Sequence, residues 1–306
     1  MYDKKIIPIY QSQIPVISIG NITTGGTGKT PFVIFLANYL KSLGHQPLII
    51  SRGYKRQSSQ QILVSKKHKY TAKEIGDEPF LISLMCDDVD ILVNKNRVDA
   101  VKWAEKQNKK YDCIILDDAF QHRSIHRVFS ILLINTAQNM KSYPPVGDLR
   151  EPFRNIQRAD CLIITKGNYD NKLLLSLKNQ FKGPIFRTSF SFQLSENKNI
   201  NQGVSFCGIA SPQLFLETLN NLGINSKDHI DFKDHQKYDE KTLQSIEQML
   251  EKNNETVFFT TLKDWVKLPE KFLNQYTGVF VNMSLSIDRS VDWEQFKKII
   301  NMHIQK

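Results

Sequence analysis

The stretch SIGNITTGGTGKTPF, residues 18–32, decides the fold of this 306-residue chain. It ends in Gly28-Lys29-Thr30, as a phosphate-binding loop does. An apolar strand-like run, PVISIG, precedes it, and a helix-like run, PFVIFLANYLKSLG, follows. Glycines let backbone N–H groups turn toward one anion, and the helix directs the positive end of its dipole at the same point. The lysine can reach phosphates and the threonine can ligate Mg²⁺. The predicted nucleotide-binding residues are Thr23, Thr24, Gly25, Gly26, Thr27, Gly28, Lys29 and Thr30.

The loop departs from the standard spacing G-x-x-x-x-G-K-[ST], which requires glycine where Thr23 stands. It resembles the K-G-G-x-G-K-T variant of the partition ATPases and the nitrogenase iron protein. In that variant a signature lysine reaches across a dimer, and here Thr24 holds its place. The loop therefore has the variant's shape without the trans-acting lysine. A nucleotide-switched partition or assembly ATPase stays the alternative function at this point.

The first half of the chain alternates strands and helices around this loop. Strand-like runs such as QPLIIS, VDILVN, YDCIILDD, FSILLIN and DCLIITK are almost continuously apolar, and helix-like runs separate several of them. This rhythm predicts a mostly parallel sheet covered by helices on both faces, a three-layer α/β/α domain of the P-loop type. Ligands of such sheets bind at the carboxyl ends of the strands.

The rhythm changes around residues 184–204, where polar and apolar residues alternate, and then resumes on a smaller scale. We therefore predict a nucleotide-binding kinase domain over 1–186, linker strands over 187–203 and a smaller α/β domain over 204–306 that closes the active-site cleft.

Composition narrows the function classes. The net charge is +10, which favours polyanionic or phosphorylated ligands. Nucleic acid is not favoured, because aromatic residues do not alternate with a dense Lys/Arg stripe. Neither a signal peptide nor a transmembrane helix is expected. Cys113 and Cys161 stand in strand-like runs and are interpreted as small buried hydrophobes, which fits a reducing compartment.

Several acidic and basic residues follow predicted strands. Asp117 and Asp118 end the strand CIILDD, the second position from which a P-loop site takes a Mg²⁺-orienting carboxylate. The turn EIGDEPF places Asp77 in the first turn of a helix, where a carboxylate is favoured in any case. A lone His235 before a helix is usually uninformative.

Together these segments resemble the tetraacyldisaccharide 4'-kinase family, the lipid A 4'-kinases. The matching pieces appear in the family's order over about residues 15–270: PVISIGNITTGGTGKTP, SRGYKR, GDEP, LDDAFQH, LREP, RAD with LIITK, DHQKY and TTLKDWVKL. The resemblance implies transfer of the γ-phosphoryl group of ATP, with Mg²⁺, to the 4'-hydroxyl of a lipid-linked glucosamine disaccharide. It also implies two α/β/α domains joined by a two-stranded linker, with catalysis in the cleft between them.

The resemblance also carries residue roles to this sequence. Asp77 matches the proposed catalytic base and His235 its partner from the second domain. The remaining matches are Asp118, Arg97 and Arg150 in the catalytic cleft, and Thr30, Asp117 and Glu151 toward the metal. In the family's T-E-K-D segment this chain has Leu262 in place of glutamate.

Location is also implied by the resemblance. The expected protein is a monomer held peripherally at the cytoplasmic face of the inner membrane of a Gram-negative bacterium, where its glycolipid substrate lies. The family usually carries an apolar amphipathic segment before the first strand. Only the short stretch containing Lys4 and Lys5 precedes it here, so either the given sequence begins after that segment, or the protein binds the bilayer through other surfaces and through the attraction of basic residues to anionic headgroups.

Overall fold

The computed structural model describes residues 7–54, 56–66, 70–86, 88–108, 110–166, 171–195, 200–234 and 236–304. These residues form two compact units. The first consists of the described residues of Met1–Ser189 and Leu285–Lys306, and the second consists of those of Phe190–Ser284.

A mostly parallel sheet is the centre of the first unit. Its strands are β1 (Val16–Asn21), β2 (Pro47–Ser51), β3 (Ile62–Val64), β4 (Asp90–Val93), β5 (Cys113–Leu116), β6 (Phe129–Asn135), β7 (Cys161–Lys166) and the beginning of β8 (Ile185–Leu194). They lie in the order β3-β4-β2-β5-β1-β6-β7-β8. Neighbours in this order are parallel, except that β3 runs antiparallel to β4. Strands β1, β2, β5 and β6 are buried throughout, which explains their continuous apolar sequence. The predicted parallel α/β sheet is confirmed.

Strand order reverses beside β1. The chain runs from β1 to β2 and β4 on one side, returns to β5 next to β1, and continues to β6 on the other side. Such a reversal opens a crevice at the carboxyl ends of the strands, where ligands bind in α/β proteins. The glycine loop after β1 and the aspartates after β5 both begin at this edge.

The helices are α1 (Lys29–Ser42), α2 (Ala72–Ile75), α3 (Asp77–Met85), α4 (Arg97–Glu105), α5 (Asn171–Gln180), α6 (Pro212–Asn221), α7 (Glu240–Lys252), α8 (Leu262–Trp265), α9 (Glu270–Gln275) and α10 (Ser290–Ile304), with a 3₁₀ helix at Phe153–Arg158. Helix α4 packs Ala100, Val101 and Ala104 against buried residues of β2, β4 and β5. No helix in the described part of the chain is long and apolar enough to span a membrane.

The last helix differs from the prediction. Helix α10 was expected in the smaller domain, but it belongs to the first unit. Its Trp293 ring lies 4.9 Å from the ring of Tyr39 on α1, and its Phe296 ring lies 6.2 Å from that of Phe32. The aromatic side chains on α1 therefore provide an apolar surface against which α10 packs. The order of the elements along the chain does not indicate this contact.

The predicted linker at 187–203 is also revised. The chain leaves the first unit within β8 and returns within β12 (Thr277–Ile287). Ser189 pairs with Ser286 at 3.1 Å and Ser191 with Ser284 at 2.6 Å between their hydroxyl oxygens. Because these pairs step in opposite directions, the two strands run antiparallel. The chain therefore passes between the two units on β8 and β12, and the second of these strands comes from near the end of the chain and not from residues 187–203.

The second unit contains four parallel strands in the order β10-β9-β11-β12. Strand β9 is Gln202–Cys207, β10 is Asn225–Asp231 and β11 is Val257–Thr261. Its two cores lie around Phe206 and Phe258 on one side and around Phe215 and Phe259 on the other. Strand β10, NSKDHID, is polar and was not predicted, because an edge strand does not need an apolar sequence.

Candidate functional site

The glycine loop connects β1 to α1 at the carboxyl edge of the first sheet. Gly25 and Gly28 have left-handed φ values of 83° and 77°, which only glycine adopts without strain. Gly28 is the N-cap of α1, and Lys29 is its first residue. A methyl group at Gly26 would meet nothing within 4 Å. The loop therefore opens its backbone toward space at the start of a helix, which is the geometry that binds phosphate.

Buried side chains hold this loop in place. Asn21 donates from Nδ2 to the carbonyl oxygen of Thr23 at 2.9 Å and to Oγ1 of Thr27 at 2.8 Å. Thr165, in β7, donates from Oγ1 to the carbonyl oxygen of Thr27 at 2.8 Å. These bonds fix the loop from the sheet side, so its outward-facing groups need little ordering when a ligand binds.

A further anchor explains the threonine that stands where the standard loop has glycine. Thr23 is 2% exposed, forms an antiparallel bridge with Leu149 and donates from Oγ1 to Oε1 of Gln138 at 2.6 Å. Gln138 donates in turn to the carbonyl oxygen of Thr24, whose N–H donates to the carbonyl oxygen of Asp148 at 2.7 Å. The segment after β6, which contains Gln138, therefore holds part of the glycine loop in place. Gln138 was not among the residues predicted from the sequence.

Lys29, Asp118 and Arg150 meet beside the loop. The Nζ atom of Lys29 lies 3.6 Å from Oδ1 of Asp118, and Nη1 of Arg150 lies 3.2 and 3.3 Å from the two carboxylate oxygens. Burial alone would raise the pKa of Asp118, but the charges of Lys29 and Arg150 outweigh it and hold that pKa below its ordinary value. Two cations and one carboxylate leave net positive charge beside a phosphate loop.

Asp117 has a different environment from its neighbour. It is 2% exposed, and its Oδ2 accepts from the Ser51 hydroxyl at 3.0 Å. Burial and the charge of Asp118 raise its pKa. Among the described residues its Oδ1 has no hydrogen-bond partner. A buried carboxylate oxygen without a donor fits a hard cation such as Mg²⁺, which prefers oxygen ligands.

Arg97 fixes the backbone of the two aspartates. It is 6% exposed and donates from Nη2 to the carbonyl oxygens of Asp117 and Asp118, at 2.7 and 2.9 Å. Asp118 has φ 46°, a left-handed conformation that costs free energy in a non-glycine residue. The guanidinium therefore stabilises an unfavourable turn, and burial lowers the pKa of Arg97 without removing its charge.

Gly20 brings the two loops together. A Cβ atom at this position, one residue before the end of β1, would lie 2.6 Å from both Cβ and N of Phe120. Only a residue without a side chain allows the segment after β5 to approach the strand that leads into the glycine loop. The close approach of the LDDAF segment to the glycine loop therefore depends on the absence of a side chain at Gly20.

Asp77 begins α3 at the carboxyl side of β2. The glycine before it, Gly76, has φ 98°, and a methyl group there would lie 3.2 Å from Cα of Gly53. The turns SRGY and GDEP therefore pack glycine against glycine. Since β2 is the neighbour of β5 in the sheet, Asp77 lies at the same edge as the two aspartates.

Glu151 is held by other side chains. Its Oε1 accepts from Nε2 of Gln121 at 2.8 Å, and its Oε2 accepts from Asn155 at 2.6 Å and from Arg158. The Gln121 amide also donates to the carbonyl oxygen of Asn21 at 2.7 Å. Glu151 thus links the segment that carries Arg150 to the start of the glycine loop.

His122 is a further titratable group that sequence reasoning did not select. Burial, with the charges of Arg97, Arg127 and Arg52, lowers its pKa to about 4. Its ring is therefore neutral at neutral pH and lies 2.9 Å from the Ser124 hydroxyl. The same cationic environment would attract a phosphate group.

Two other predicted residues complete the set. Thr30 is half-buried at the second position of α1, next to the lysine as the motif requires. His235 lies outside the described residues.

The glycine loop at a strand-order reversal, with a lysine at the helix start and aspartates ending the neighbouring strand, defines a P-loop nucleotide-binding protein. A family model described as tetraacyldisaccharide-1-P 4'-kinase matches residues 1–305. The chain belongs to that family, and it is an enzyme, a kinase.

Comparisons with individual relatives support the same family assignment. The chain is 35% identical over 289 residues to the tetraacyldisaccharide 4'-kinase of Pelodictyon phaeoclathratiforme, covering 88% of this chain and 81% of that protein. It is 33% identical over 310 residues to that of Aquifex aeolicus, covering 98% and 91%. The solved structure of LpxK from Aquifex aeolicus in complex with ATP matches with a TM-score of 0.78 and 30% identity, over 99% of this chain and 92% of that one. The kinase interpretation is thereby confirmed over the partition-ATPase alternative.

Proposed function

We propose that this chain transfers the γ-phosphoryl group of ATP to the 4'-hydroxyl of tetraacyldisaccharide 1-phosphate, forming the 4'-phosphorylated lipid A precursor. Family membership supports the substrate class. The observation that carries the chemistry is the meeting of Lys29, Asp118 and Arg150 beside the glycine loop. Phosphoryl transfer depends mainly on positioning and on neutralising phosphate charge, and this arrangement provides both.

Each group has a separate task in the proposed reaction. The N–H groups of the glycine loop and the start of α1 bind phosphate oxygens. Lys29 and Arg150 exchange part of their attraction to Asp118 for the more highly charged phosphates, where they stabilise charge that develops in transfer. Arg97 acts on the backbone of the aspartates, since its bonds go to their carbonyl oxygens. We assign it a positioning role.

We propose that Asp117 and Thr30 hold the Mg²⁺ ion. The unpaired Oδ1 of Asp117 supports the first ligand and the motif position supports the second. Bound Mg²⁺ supplies charge neutralisation and alignment of phosphate oxygens. Glu151 would have to leave Asn155 and Arg158 to bind a cation, so its direct metal role stays a prediction.

The base assignment rests on the resemblance. We propose that Asp77 accepts the proton of the sugar hydroxyl, supported by its place at the carboxyl edge of the sheet. Replacing it with Asn should lower kcat by about 10²–10⁴-fold, the usual contribution of a general base. His235 is proposed as its partner, and the closing role of the second unit likewise stays a prediction.

We further propose that the protein acts as a monomer at the cytoplasmic face of the inner membrane of a Gram-negative bacterium. Its net charge of +10 would attract it to anionic headgroups, where each basic residue near the surface contributes about 1 kcal/mol. Nucleic acid is not proposed as a partner, and weak salt-sensitive binding to it would reflect charge alone.

The test is phosphate transfer from labelled ATP to purified tetraacyldisaccharide 1-phosphate, with and without a Mg²⁺ chelator. We expect a product labelled at the 4' position that requires both metal and glycolipid. Lys29→Met should abolish it, while Lys41→Met, at the far end of the same helix, should not. ATP hydrolysis that ignores glycolipid and gives no labelled product would refute the proposal.

A further inference from the structure

A second group of reactive side chains lies in the smaller unit, on one face of the neighbouring strands β9 and β10. The strands are parallel, and their register pairs Ser205 with His229 and Cys207 with Asp231. Alternate residues of a strand face the same side. The four side chains therefore form a two-by-two patch at the edge of the sheet.

Three of these side chains converge on one point. His229 Nε2 lies 2.8 Å from Oδ1 of Asp231 and 3.9 Å from Sγ of Cys207, and Cys207 Sγ lies 4.0 Å from the same Oδ1. All three ligand atoms are within 4.8 Å of one another. Bond lengths of about 2.0–2.3 Å at a tetrahedral ion require ligand atoms about 3.3–3.8 Å apart, so only small side-chain rotations separate this arrangement from a coordinated one.

The second ring nitrogen of His229, Nδ1, also has a hydrogen-bonding partner. The Ser205 hydroxyl lies 2.6 Å from His229 Nδ1 and 2.6 Å from the Ser226 hydroxyl. If Nδ1 donates to Ser205, Nε2 presents its lone pair to the point where Cys207 and Asp231 meet. Metal-binding histidines generally have such a partner on the second nitrogen.

A nucleophilic cysteine is the competing interpretation, and the geometry disfavours it. In a Cys-His-Asp triad the carboxylate contacts the ring nitrogen opposite the thiol, whereas here Asp231 and Cys207 both face Nε2. Cys207 is buried, and the Asp231 carboxylate oxygen 4.0 Å from its sulfur favours a cation between the two groups.

We propose that Cys207, His229 and Asp231 form a zinc site with three protein ligands. A thiolate, an imidazole and a carboxylate together suit Zn²⁺ better than Mg²⁺ or Ca²⁺. Cys207 is buried, while the side chain of Asp231 is 58% exposed, so the fourth position faces solvent and is open to water or an exogenous ligand. This site shares no residue with the kinase machinery.

The site would tie the edge strand to the sheet. Strand β10 is polar apart from Ile230, which packs against the core, and it has a register irregularity between Ser226 and His229, so it has less apolar packing than the inner strands. A metal that binds the folded unit alone raises its stability with concentration. We therefore expect Zn²⁺ to stabilise the second unit and to protect amides of β10 from hydrogen exchange.

Titration of the full chain with Co²⁺, a zinc substitute whose thiolate complexes absorb in the near ultraviolet, tests the proposal. We expect one equivalent to bind with a thiolate-to-cobalt absorption that Zn²⁺ removes. Cys207→Ala should lose that absorption, while Cys86→Ala, a buried cysteine at the C-cap of α3, should keep it. Ser205→Ala should weaken binding by about 10–100-fold, as loss of a partner behind a ligand does.

A second variant keeps the test valid if Cys207→Ala does not fold. Asp231→Asn changes an exposed side chain, so it should fold, and it should weaken Co²⁺ binding while leaving thermal unfolding without metal unchanged. The proposal is overturned if the wild-type chain shows no thiolate absorption, or if neither Cys207→Ala nor Asp231→Asn alters Co²⁺ binding.

Discussion

Replacing Gly20 by alanine should disable the active site while leaving most of the fold intact. The added Cβ would lie 2.6 Å from both Cβ and N of Phe120, and ordinary contact begins at 3.4 Å, a shortfall of 0.8 Å. The clash involves backbone, so no side-chain rotation relieves it. Either β1 or the segment after β5 must move by about that distance, because close-packed interiors leave no free volume to absorb it.

The displacement acts directly on the chemistry. Phe120 is two residues from Asp118, and β1 leads into the glycine loop, so the shift separates the phosphate-binding and carboxylate halves of the site. A misplacement near 1 Å costs about 10²-fold in rate, and overpacking costs about 1–3 kcal/mol of stability. We expect kcat/KM to fall about 100-fold and the free energy of unfolding to fall by about 1–3 kcal/mol.

The assay is phosphoryl transfer at a temperature at which circular dichroism shows both proteins fully folded. Gly44→Ala is the matched control. A methyl group there meets nothing within 4 Å, but φ is +88°, so the change costs about 1 kcal/mol of stability at the end of α1 away from the loop. It should lower the unfolding midpoint without lowering the rate. A Gly20→Ala enzyme within about threefold of the wild-type rate would refute the reasoning.

Three further predictions concern the charged groups. Arg150→Ala should lower kcat by about 10²–10³-fold, because a donor to developing charge is lost, while the exposed Arg154→Ala should leave it unchanged in the same assay. Arg97→Met removes a charged donor from two carbonyl oxygens, so urea unfolding should show a loss of about 3 kcal/mol; a loss below about 1 kcal/mol would contradict its positioning role. The pKa of Asp117 is raised in the folded state. Protonated Asp117 therefore contributes its full stabilisation to the wild-type fold below the unfolded pKa near ~3.9, and this contribution is lost as pH rises through the pKa of the folded state. Asp117→Asn should therefore be inactive yet unfold at pH 7 no earlier than wild type, and an earlier unfolding midpoint would count against the raised pKa.

Much of the first unit follows from sequence because its signals are local. An apolar run, a glycine loop and a helix start at Lys29 specify β1, the loop and α1 within a few residues of one another. The strand CIILDD likewise places Asp117 and Asp118 at the sheet edge through strand periodicity alone.

The remainder depends on contacts between distant residues. No local sequence pattern around Arg97 indicates that its guanidinium donates to the backbone after β5. Likewise, the sequence around Gly20 does not distinguish it from any other glycine near the end of a strand. Gln138 and the polar strand β10 give no periodic apolar signal. Helix α10 has an ordinary amphipathic sequence, so only its aromatic contacts with Phe32 and Tyr39 reveal which unit it completes.

The position of α10 in the first unit also affects the order in which the two units fold during synthesis on the ribosome. The nucleotide-binding helix is synthesised early, but its aromatic partner Trp293 emerges about 250 residues after Tyr39, which at about 5–20 residues per second takes tens of seconds. During that time the aromatic surface of α1 is uncovered, and the Phe190–Ser284 unit can fold first because its strands and helices are continuous in the chain. The order of folding in synthesis would therefore be the reverse of the order in which the two units begin.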